Sequence, residues 1–332
     1  LKEPLSAETL RDLLAASDAR LVLNATGFAV SAPGAQRKET PFDAVPGPVI
    51  QVVFGGNGLA DWQDGSHGLS ARDIAMNVAL PEVDGRLLAR AVSVKSEARY
   101  DPVTQCAIVA YRSLPDRVAF TAALAAAWLR LQGTGPADRR LAIVLANYPN
   151  RDGRLGNGVG LDTPAGTMAT LQALADAGYG IEDMPADGDA LIARLAAGPT
   201  NDLTTRAQRE GGIAYPVAQY RTFFASLPEG LQAEVLDRWG APESDPHVKG
   251  QDFVLSAFRL GQVIIGLQPA RGYNIDPAAS YHDPDLVPPH GYFAFYAWLR
   301  REAGVQAVIH MGKHGNLEWL PGKAVALSAA CY

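Results

Sequence analysis

The order of strand, glycine-rich loop and helix most constrains the fold of this 332-residue chain. Residues 140–148 (RLAIVLANY) form an apolar run typical of a buried strand, and a glycine-rich loop follows. Residues 163–177 then have helical spacing, with proline near the first position. Strands that alternate with helices indicate parallel sheets covered by helices. We therefore predict an α/β fold of several Rossmann-like, doubly wound parallel-sheet units with helical insertions.

The pattern divides the chain into four predicted segments. These are an α/β domain over 1–132, an α/β unit with the glycine-rich loop over 138–200, a helical segment over 201–250 and a last α/β unit over 251–332. Further strands are expected at 20–30, 48–55, 105–111, 258–268 and 305–309. Further helices are expected at 6–19, 70–80, 116–132, 187–197 and 290–303. The helix at 70–80 is expected to stop at Pro81, because proline cannot donate a helical hydrogen bond.

Composition excludes several classes of partner. With 48% hydrophobic and 19% charged residues the chain can bury a core, and its net charge of −6 argues against nucleic acid or an anionic membrane as main partner. Two cysteines, Cys106 and Cys331, favour a reducing cytoplasm over a disulfide scaffold. No apolar run reaches the roughly 18–20 residues of a membrane span. The abrupt ends predict an internal piece of a longer protein.

The most informative stretch runs from His310 to Lys323 and reads HMGKHGNLEWLPGK. It follows the predicted strand at 305–309, and open α/β sheets bind ligands beyond the carboxyl ends of their strands. Two imidazoles, a carboxylate and two ammonium groups therefore stand where such a fold places its chemistry. A loop of histidines that only cap backbone groups is the alternative that the residues leave open.

Spacing narrows the chemistry of this stretch. His310, His314 and Glu318 would share one face of a helix, but the glycines between them make a helix unlikely. The stretch also lacks the HExxH pattern of zinc proteases and the spacing of a nucleotide-binding P-loop. We predict a loop at a strand end that carries metal ligands or a base.

Two further loops carry candidate ligand-binding residues. Residues 147–160 (NYPNRDGRLGNGVG) combine Arg151 and Arg154, which suit carboxylates, with glycines that let backbone amides approach an anion. The loop misses the dinucleotide fingerprint GxGxxG, and a solvated turn is the alternative. The long loop at 269–289 contains Arg271 and leads to His290. A lone histidine of this kind is by default a structural hydrogen-bonding residue.

Several motifs together resemble one family. Besides 310–323, they are AMNVALPEVDG (75–85), LANYPNRDG (145–153), GVGLDTP (158–164) and GQVIIGLQP (261–269). The chain resembles the large subunits of class I chelatases, which insert a metal into a tetrapyrrole, over essentially its whole length. The sequence of residues 310–324 is closer to the cobalt branch of the family. Magnesium subunits tend to read HFGTHGxLEFMPGKQ, whereas this chain has Lys313, Trp319 and Ala324 in place of the threonine, the phenylalanine and the final glutamine.

The resemblance implies a specific reaction. It is the ATP-dependent insertion of Co²⁺ into hydrogenobyrinic acid a,c-diamide, in aerobic cobalamin biosynthesis. ATP and Mg²⁺ would be used by separate AAA+ subunits of the CobS and CobT type, in keeping with the missing P-loop. Three alternatives remain: a magnesium chelatase H subunit acting on protoporphyrin IX, a zinc-dependent hydrolase, and a tetrapyrrole-binding module without catalytic activity.

Roles for the candidate residues follow from the motif and its chemistry. Glu318 is the predicted essential carboxylate, and His310 and His314 are predicted to deliver the metal or transfer protons. These three residues are also the candidate metal ligands. The predicted substrate-binding residues are Arg151, Arg154, Lys313, Asn316, Lys323, Arg271 and His290.

Overall fold

A computed structural model describes residues 5–147, 152–206, 208–273, 283–313 and 317–332. The chain forms two compact units: Leu1–Arg130 with Gly322–Cys331, and Leu131–Pro321 with Tyr332. Both contain a mixed sheet with helices, which confirms the predicted α/β class. The second unit joins strands from the predicted segments 138–200 and 251–332 in one sheet, so those segments share a core. Among the described residues, no helix is long and apolar enough to span a membrane.

The first unit is built on a four-stranded sheet in the order β1-β2-β3-β4. Strands β1, β2 and β3 are parallel, and β4 is antiparallel to β3. The strands are β1 Val22–Asn24, β2 Val49–Gly55, β3 Leu87–Asp101 and β4 Cys106–Ser113. The helices are α1 Ala7–Ala16, α2 Leu59–Asp64, α3 Ala71–Ile74, α4 Leu80–Val83 and α5 Pro115–Gly133. The longest strand, β3, was not predicted, because its sequence LLARAVSVKSEARYD mixes charged residues into the apolar pattern.

The predicted stop at Pro81 is wrong, because the helix continues through it. A π-helical segment, Ala75–Ala79, connects α3 to α4 and carries the chain to Val83. In π-helical spacing the partner of residue 81 would be the carbonyl of Met76, which proline cannot reach with a hydrogen bond. That carbonyl instead accepts a hydrogen bond of 2.8 Å from the amide of Phe28. A distant loop thus satisfies the carbonyl that the proline leaves unpaired.

The second unit is built on a four-stranded sheet in the order β11-β12-β5-β13, which we call the central sheet. Strands β12, β5 and β13 are parallel, and β11 is antiparallel to β12. Its strands are β5 Leu141–Leu145, β11 Ala257–Leu260, β12 Val263–Leu267 and β13 Ala307–Met311. The predicted single strand at 258–268 is therefore a hairpin, turned by Gly261 at φ 65°.

Smaller elements and helices complete the second unit. A small sheet, in the order β8-β10-β9, contains β8 Ile213–Pro216, β9 Val248–Lys249 and β10 Asp252–Leu255. A short hairpin pairs β6 Asn157–Gly158 with β7 Leu161–Asp162. The helices are α6 Thr163–Asp176, α7 Gly188–Ala197, α8 Leu203–Arg206, α9 Val217–Phe224, α10 Glu229–Trp239 and α11 His290–Ala297.

Two hydrophobic layers enclose the central sheet, as alternation along β5 dictates. Leu141, Ile143 and Leu145 belong to one cluster, which contains residues of α6 and α7. Ala142 and Val144 belong to the other, which contains residues of α9 and α11. All five residues are buried because both faces of the sheet are covered, which explains why the sequence of β5 is continuously apolar. Each fully buried leucine or isoleucine contributes roughly 1.5–3 kcal/mol, and the strand ends are thereby rigidly supported.

Candidate functional site

Three parallel strands bring their carboxyl ends to one edge of the central sheet. The backbone ladder extends one residue beyond them: the Gln268 amide donates to the Leu145 carbonyl, and the Ala146 amide donates to the Met311 carbonyl, both at 2.9 Å. Asn147 follows β5, Gln268 follows β12, and Lys313 follows β13. Chain segments that the sequence separates by more than 100 residues therefore begin side by side.

His310 lies within β13 rather than in the loop after it, because the strand extends two residues further than predicted. It pairs with Val144 of β5, and its side chain is exposed. Alternation places it on the sheet face opposite Ile309 and Met311, which pack toward the α6 and α7 layer. The Tyr296 ring of α11 stacks on the imidazole, with ring centroids 6.0 Å apart and planes 26° apart. The strand and this stacking hold the imidazole at the edge of the sheet.

Tyr296 connects His310 to the end of β12. Its hydroxyl accepts a hydrogen bond from Nε2 of Gln268 at 3.5 Å. Burial raises the pKa of Tyr296 to about 12, so the phenol stays neutral at physiological pH. Oε1 of Gln268, a residue only 1% exposed, has no hydrogen-bond partner among the residues that the structure describes. An unpaired acceptor is thus buried at the end of β12, and Tyr296 connects its side chain to the histidine.

Asn147 is the strongest polar feature that the sequence did not reveal. Its side chain is fully buried, and neither Oδ1 nor Nδ2 has a partner within the described ranges. Oγ1 of Thr163, at the start of α6, is likewise buried without a described partner. Leaving a buried polar group unpaired costs about 1–3 kcal/mol, and native proteins have few such groups. An asparagine before Tyr-Pro resembles an ordinary turn residue, so the sequence alone gave no signal.

Gly312 allows β13 to pass β5 closely at this edge. A Cβ at this position would lie 2.4 Å from the Cβ of Ala146, far closer than real side chains approach. Lys313 follows and is exposed. The first signature glycine is therefore a packing requirement that fixes where the loop leaves the sheet.

The glycine-rich loop after β5 is a turn followed by a tight hairpin. Arg154 lies in the 3-10 turn Asp152–Arg154 and is exposed. The hairpin β6–β7 uses Gly160 at φ 75°, a conformation that favours glycine. Asp152 accepts hydrogen bonds from Thr200 Oγ1 at 2.6 Å and from the Arg209 guanidinium. The loop is thus anchored through Asp152, and Arg154 points to solvent.

His290 is enclosed by protein groups in this structure, and its predicted contact with substrate stays a prediction. Its ring is 0% exposed, and both nitrogens are used. Nε2 donates to the Gly240 carbonyl at 3.0 Å, so Nδ1 accepts from the Tyr220 hydroxyl at 2.8 Å. Burial lowers the pKa of His290, which favours the neutral ring that this pairing requires. The default interpretation, a structural histidine, applies.

Arg271 holds loops together rather than presenting a free guanidinium. It is 4% exposed and donates to the carbonyls of Asp283, at 2.6 Å, and Trp319. Asp245 ties the same region to the start of α11: it accepts from the Tyr273 hydroxyl and, at 2.8 Å, from the Gly291 amide. Arg271 thus connects the residue 283 loop to the signature turn, and its predicted contact with a substrate carboxylate stays a prediction.

Lys323 belongs to the first unit and contacts protein groups there. Its ammonium donates to the carbonyls of Gln63 at 2.7 Å and Gly65 at 2.5 Å, and lies 4.9 Å from the centre of the Trp62 ring. These bonds fix the end of the signature.

Several predicted residues lie outside the described residues. These are Arg151, His314 and Asn316, together with the side chain of Glu318. Their predicted roles therefore stay predictions, as does the metal set of His310, His314 and Glu318. Within the described part of the chain, no group of three histidine, cysteine, aspartate or glutamate side chains is placed to hold a metal.

Comparison with known proteins decides the family. The sequence model of the protein family described as CobN/Magnesium Chelatase matches residues 2–332. The chain belongs to the CobN/magnesium chelatase family. It is 56% identical over 332 residues to the aerobic cobaltochelatase subunit CobN of Sinorhizobium sp, covering 100% of this chain and 26% of that protein. It is 30% identical over 324 residues to the chloroplastic magnesium-chelatase subunit ChlH of Oryza sativa subsp. indica, covering 94% of this chain and 22% of that protein.

A solved structure agrees with this membership. The catalytic subunit of cobaltochelatase from Mycobacterium tuberculosis matches with a TM-score of 0.81 and 35% identity, over 98% of this chain and 28% of that one. The chain thus spans about a quarter of the length of these family members. The resemblance inferred from the signature is confirmed. The chain is 56% identical to a cobaltochelatase relative and 30% identical to a magnesium-chelatase relative. This difference agrees with the cobalt-type residues Lys313 and Trp319.

Proposed function

We propose that this chain is part of the large, tetrapyrrole-binding subunit of a cobaltochelatase. Its substrates would be Co²⁺ and hydrogenobyrinic acid a,c-diamide, joined in aerobic cobalamin biosynthesis. ATP hydrolysis, with its Mg²⁺, would take place on separate AAA+ subunits of the CobS and CobT type, in the cytoplasm. The 56% identity to a relative named aerobic cobaltochelatase subunit CobN supports cobalt over magnesium.

The observation that carries the proposal is the set of polar groups where the three parallel strands end. Asn147 and Gln268 are buried with side-chain atoms that have no partner in the described residues, and His310 is exposed on the adjacent strand. Unsatisfied buried amides are expected where a ligand completes the hydrogen bonding. A tetrapyrrole that carries amide and carboxylate arms offers both donors and acceptors. The strand ends would bind its periphery.

Metal insertion also requires a ligand for Co²⁺ and a base for the ring N–H protons. Imidazole is a suitable ligand for divalent first-row metals, and carboxylates serve as bases. His310, supported by Tyr296, is the described group with this chemistry at the sheet edge. His314 and Glu318, four and eight residues further along the signature, would supply the second imidazole and the base. Exposed Lys313 and Arg154 would contact carboxylates of the substrate.

The experiment uses the complete subunit with its AAA+ partners and follows cobalt insertion by absorbance. Glu318→Gln should retain binding of hydrogenobyrinic acid a,c-diamide and lose insertion, since the amide cannot accept the ring proton. Glu302→Gln, at an exposed position on the same unit, is the control and should insert cobalt normally. Insertion at the wild-type rate by Glu318→Gln would remove this residue from the mechanism. Binding without insertion by the wild-type complex would instead support a module without catalytic activity.

A further inference from the structure

A cavity of about 160 Å³ in the second unit lies between α8 and the small sheet, and nothing above assigns it a ligand. Three cationic side chains line it, Arg206, Arg209 and Lys249, and no acidic residue is among its described lining. Asp152 forms an ion pair with Arg209, so Arg206 and Lys249 are the cations that the cavity offers to a ligand. The cavity lies within one unit and opens to solvent. Its electrostatic character is therefore positive, and its natural ligand is an anion.

Arg206 is a buried cation without a contacting counter-ion among the described residues. It is 7% exposed, and its guanidinium donates to the carbonyls of Thr200 and Val254 and, at 3.5 Å, to Ser256 Oγ. Burial lowers the pKa of Arg206 to about 10, so it remains charged at neutral pH. The Asp245 carboxylate favours the charged guanidinium from a distance, but no described carboxylate contacts it, and a buried charge without a contacting anion is costly. The cavity thus has beside it a buried cation that lacks a contacting anion among the described residues.

His247 supplies the second, independent observation. It lines the cavity and is 5% exposed, and its Nε2 has no hydrogen-bond partner in the described ranges. Burial lowers the pKa of His247 well below its ordinary value, so the ring is neutral and Nε2 offers one hydrogen bond. An oxygen atom of a ligand would satisfy the atom that the protein leaves unpaired.

The size and walls of the cavity select the ligand. A cavity of about 150 Å³ holds a benzene-sized molecule, so this one admits a short acid chain and excludes a macrocycle. Leu203, Val248, Val254 and two prolines form apolar walls. Phosphate or sulfate would desolvate against such walls, whereas an alkyl chain packs on them. The combination of apolar walls with a positive end fits an alkyl carboxylate.

We propose that this cavity binds a short alkyl carboxylate of propionate size, with its carboxylate toward Arg206 and Nε2 of His247. Its source is either a free acid or an acid arm of the tetrapyrrole, and the second source rests on the function proposed above. Hydrogen bonds connect residues beside the cavity to the strand edge. Thr200 binds both Arg206 and Asp152, and Asn201 Nδ2 donates to the Gln268 carbonyl at 2.8 Å.

The test is an NMR titration of the 332-residue chain, labelled with ¹⁵N at its six histidines, with sodium propionate. The His247 ring signal is assigned by its loss in His247→Gln. A ligand this small binds in the millimolar range, so the titration extends to about 100 mM. We expect a saturable shift of the His247 signal with propionate, and none with propionamide or sodium chloride. No saturable shift, or an equal response to propionamide, would overturn the proposal.

Two variants separate charge from volume. Val248→Phe fills the cavity from its wall and should abolish the shift. Lys249→Gln removes an exposed cation and should weaken propionate binding about two- to fivefold, the range for exposed charge pairs, while Lys38→Gln in the first unit should not. Thermal melts confirm that each variant is folded. Unchanged propionate binding by a folded Val248→Phe would place the ligand elsewhere and contradict the proposal.

A competition arm then identifies the source. If hydrogenobyrinic acid a,c-diamide displaces propionate, an acid arm of the substrate occupies the cavity. If it binds without displacing propionate, the cavity serves a free acid. If it does not bind at all, the proposed function fails while the saturable propionate shift still stands, so the two failures are distinguishable.

Discussion

The substitution Gly312→Ala tests how closely β13 and β5 approach at the candidate site. The added Cβ would lie 2.4 Å from the Cβ of Ala146, whereas ordinary contacts begin at 3.4 Å. Ala146 cannot rotate this atom away, so the two backbones must separate by about 1 Å. The hydrogen bond of 2.9 Å from the Ala146 amide to the Met311 carbonyl would then be lost or stretched.

The expected cost follows from these two effects. Overpacking of this kind costs about 1–3 kcal/mol and a lost hydrogen bond about 0.5–1.5 kcal/mol, so we expect destabilisation by about 2–4 kcal/mol. For a domain of roughly 150–250 residues each kcal/mol lowers the Tm by about 2–4 °C. The measurement is a thermal melt, with Tm expected to fall by at least about 4 °C.

Gly135→Ala is the matched control. This glycine has φ −62° and ψ 150°, and an added Cβ would meet nothing within 4 Å. Alanine there should raise stability by about 0.4–1 kcal/mol, because it restricts the unfolded chain. A Tm for Gly312→Ala equal to or above that of Gly135→Ala would refute the packing argument.

Three further predictions follow from the site. Asn147→Leu removes the unpaired amide, so it should raise the free energy of unfolding by about 1–2 kcal/mol in urea while weakening tetrapyrrole binding; a loss of stability would contradict the assignment. Arg271→Gln should weaken tetrapyrrole binding by releasing the Trp319 carbonyl, whereas Arg238→Gln should leave the titration unchanged. Burial lowers the pKa of His290 below the ordinary histidine value of about 6.5. As the pH falls, the unfolded chain therefore takes up this proton first, and the contribution of His290 to stability is lost below about pH 6.5. His290→Gln should reduce the slope of the free energy of unfolding between pH 7.5 and 5.5, by up to about 1.4 kcal/mol per pH unit; equal slopes would exclude it.

Apolar periodicity predicted β5, α6 and α7 of the second unit, but neither its small sheet, which begins inside the segment predicted as helical, nor its polar site. The buried run of β5 and the helix after it appear as expected, because five consecutive buried residues have no other plausible environment. The site depends instead on pairing between segments far apart in the chain. Neither the burial of Asn147 nor the stacking of Tyr296 on His310 follows from local spacing, since both require the strand register.

The failed helix stop at Pro81 and the enclosure of His290 share a physical cause. The helix passes Pro81 because the amide of Phe28 satisfies the carbonyl of Met76, and His290 is enclosed because Tyr220 and Gly240 pair both its nitrogens. In each case a distant partner supplies the missing hydrogen bond. A sequence pattern reports what a segment lacks, and it does not report which remote group compensates for it.

The most direct test of the central claim is a binding titration of the complete subunit with two tetrapyrroles, followed by absorbance. We predict that hydrogenobyrinic acid a,c-diamide binds at least tenfold more tightly than protoporphyrin IX, a difference of about 1.4 kcal/mol. Asn147→Leu should reduce this preference, since the amide would bind the polar periphery of the corrin. Tighter binding of protoporphyrin IX would contradict the account and indicate a magnesium chelatase subunit.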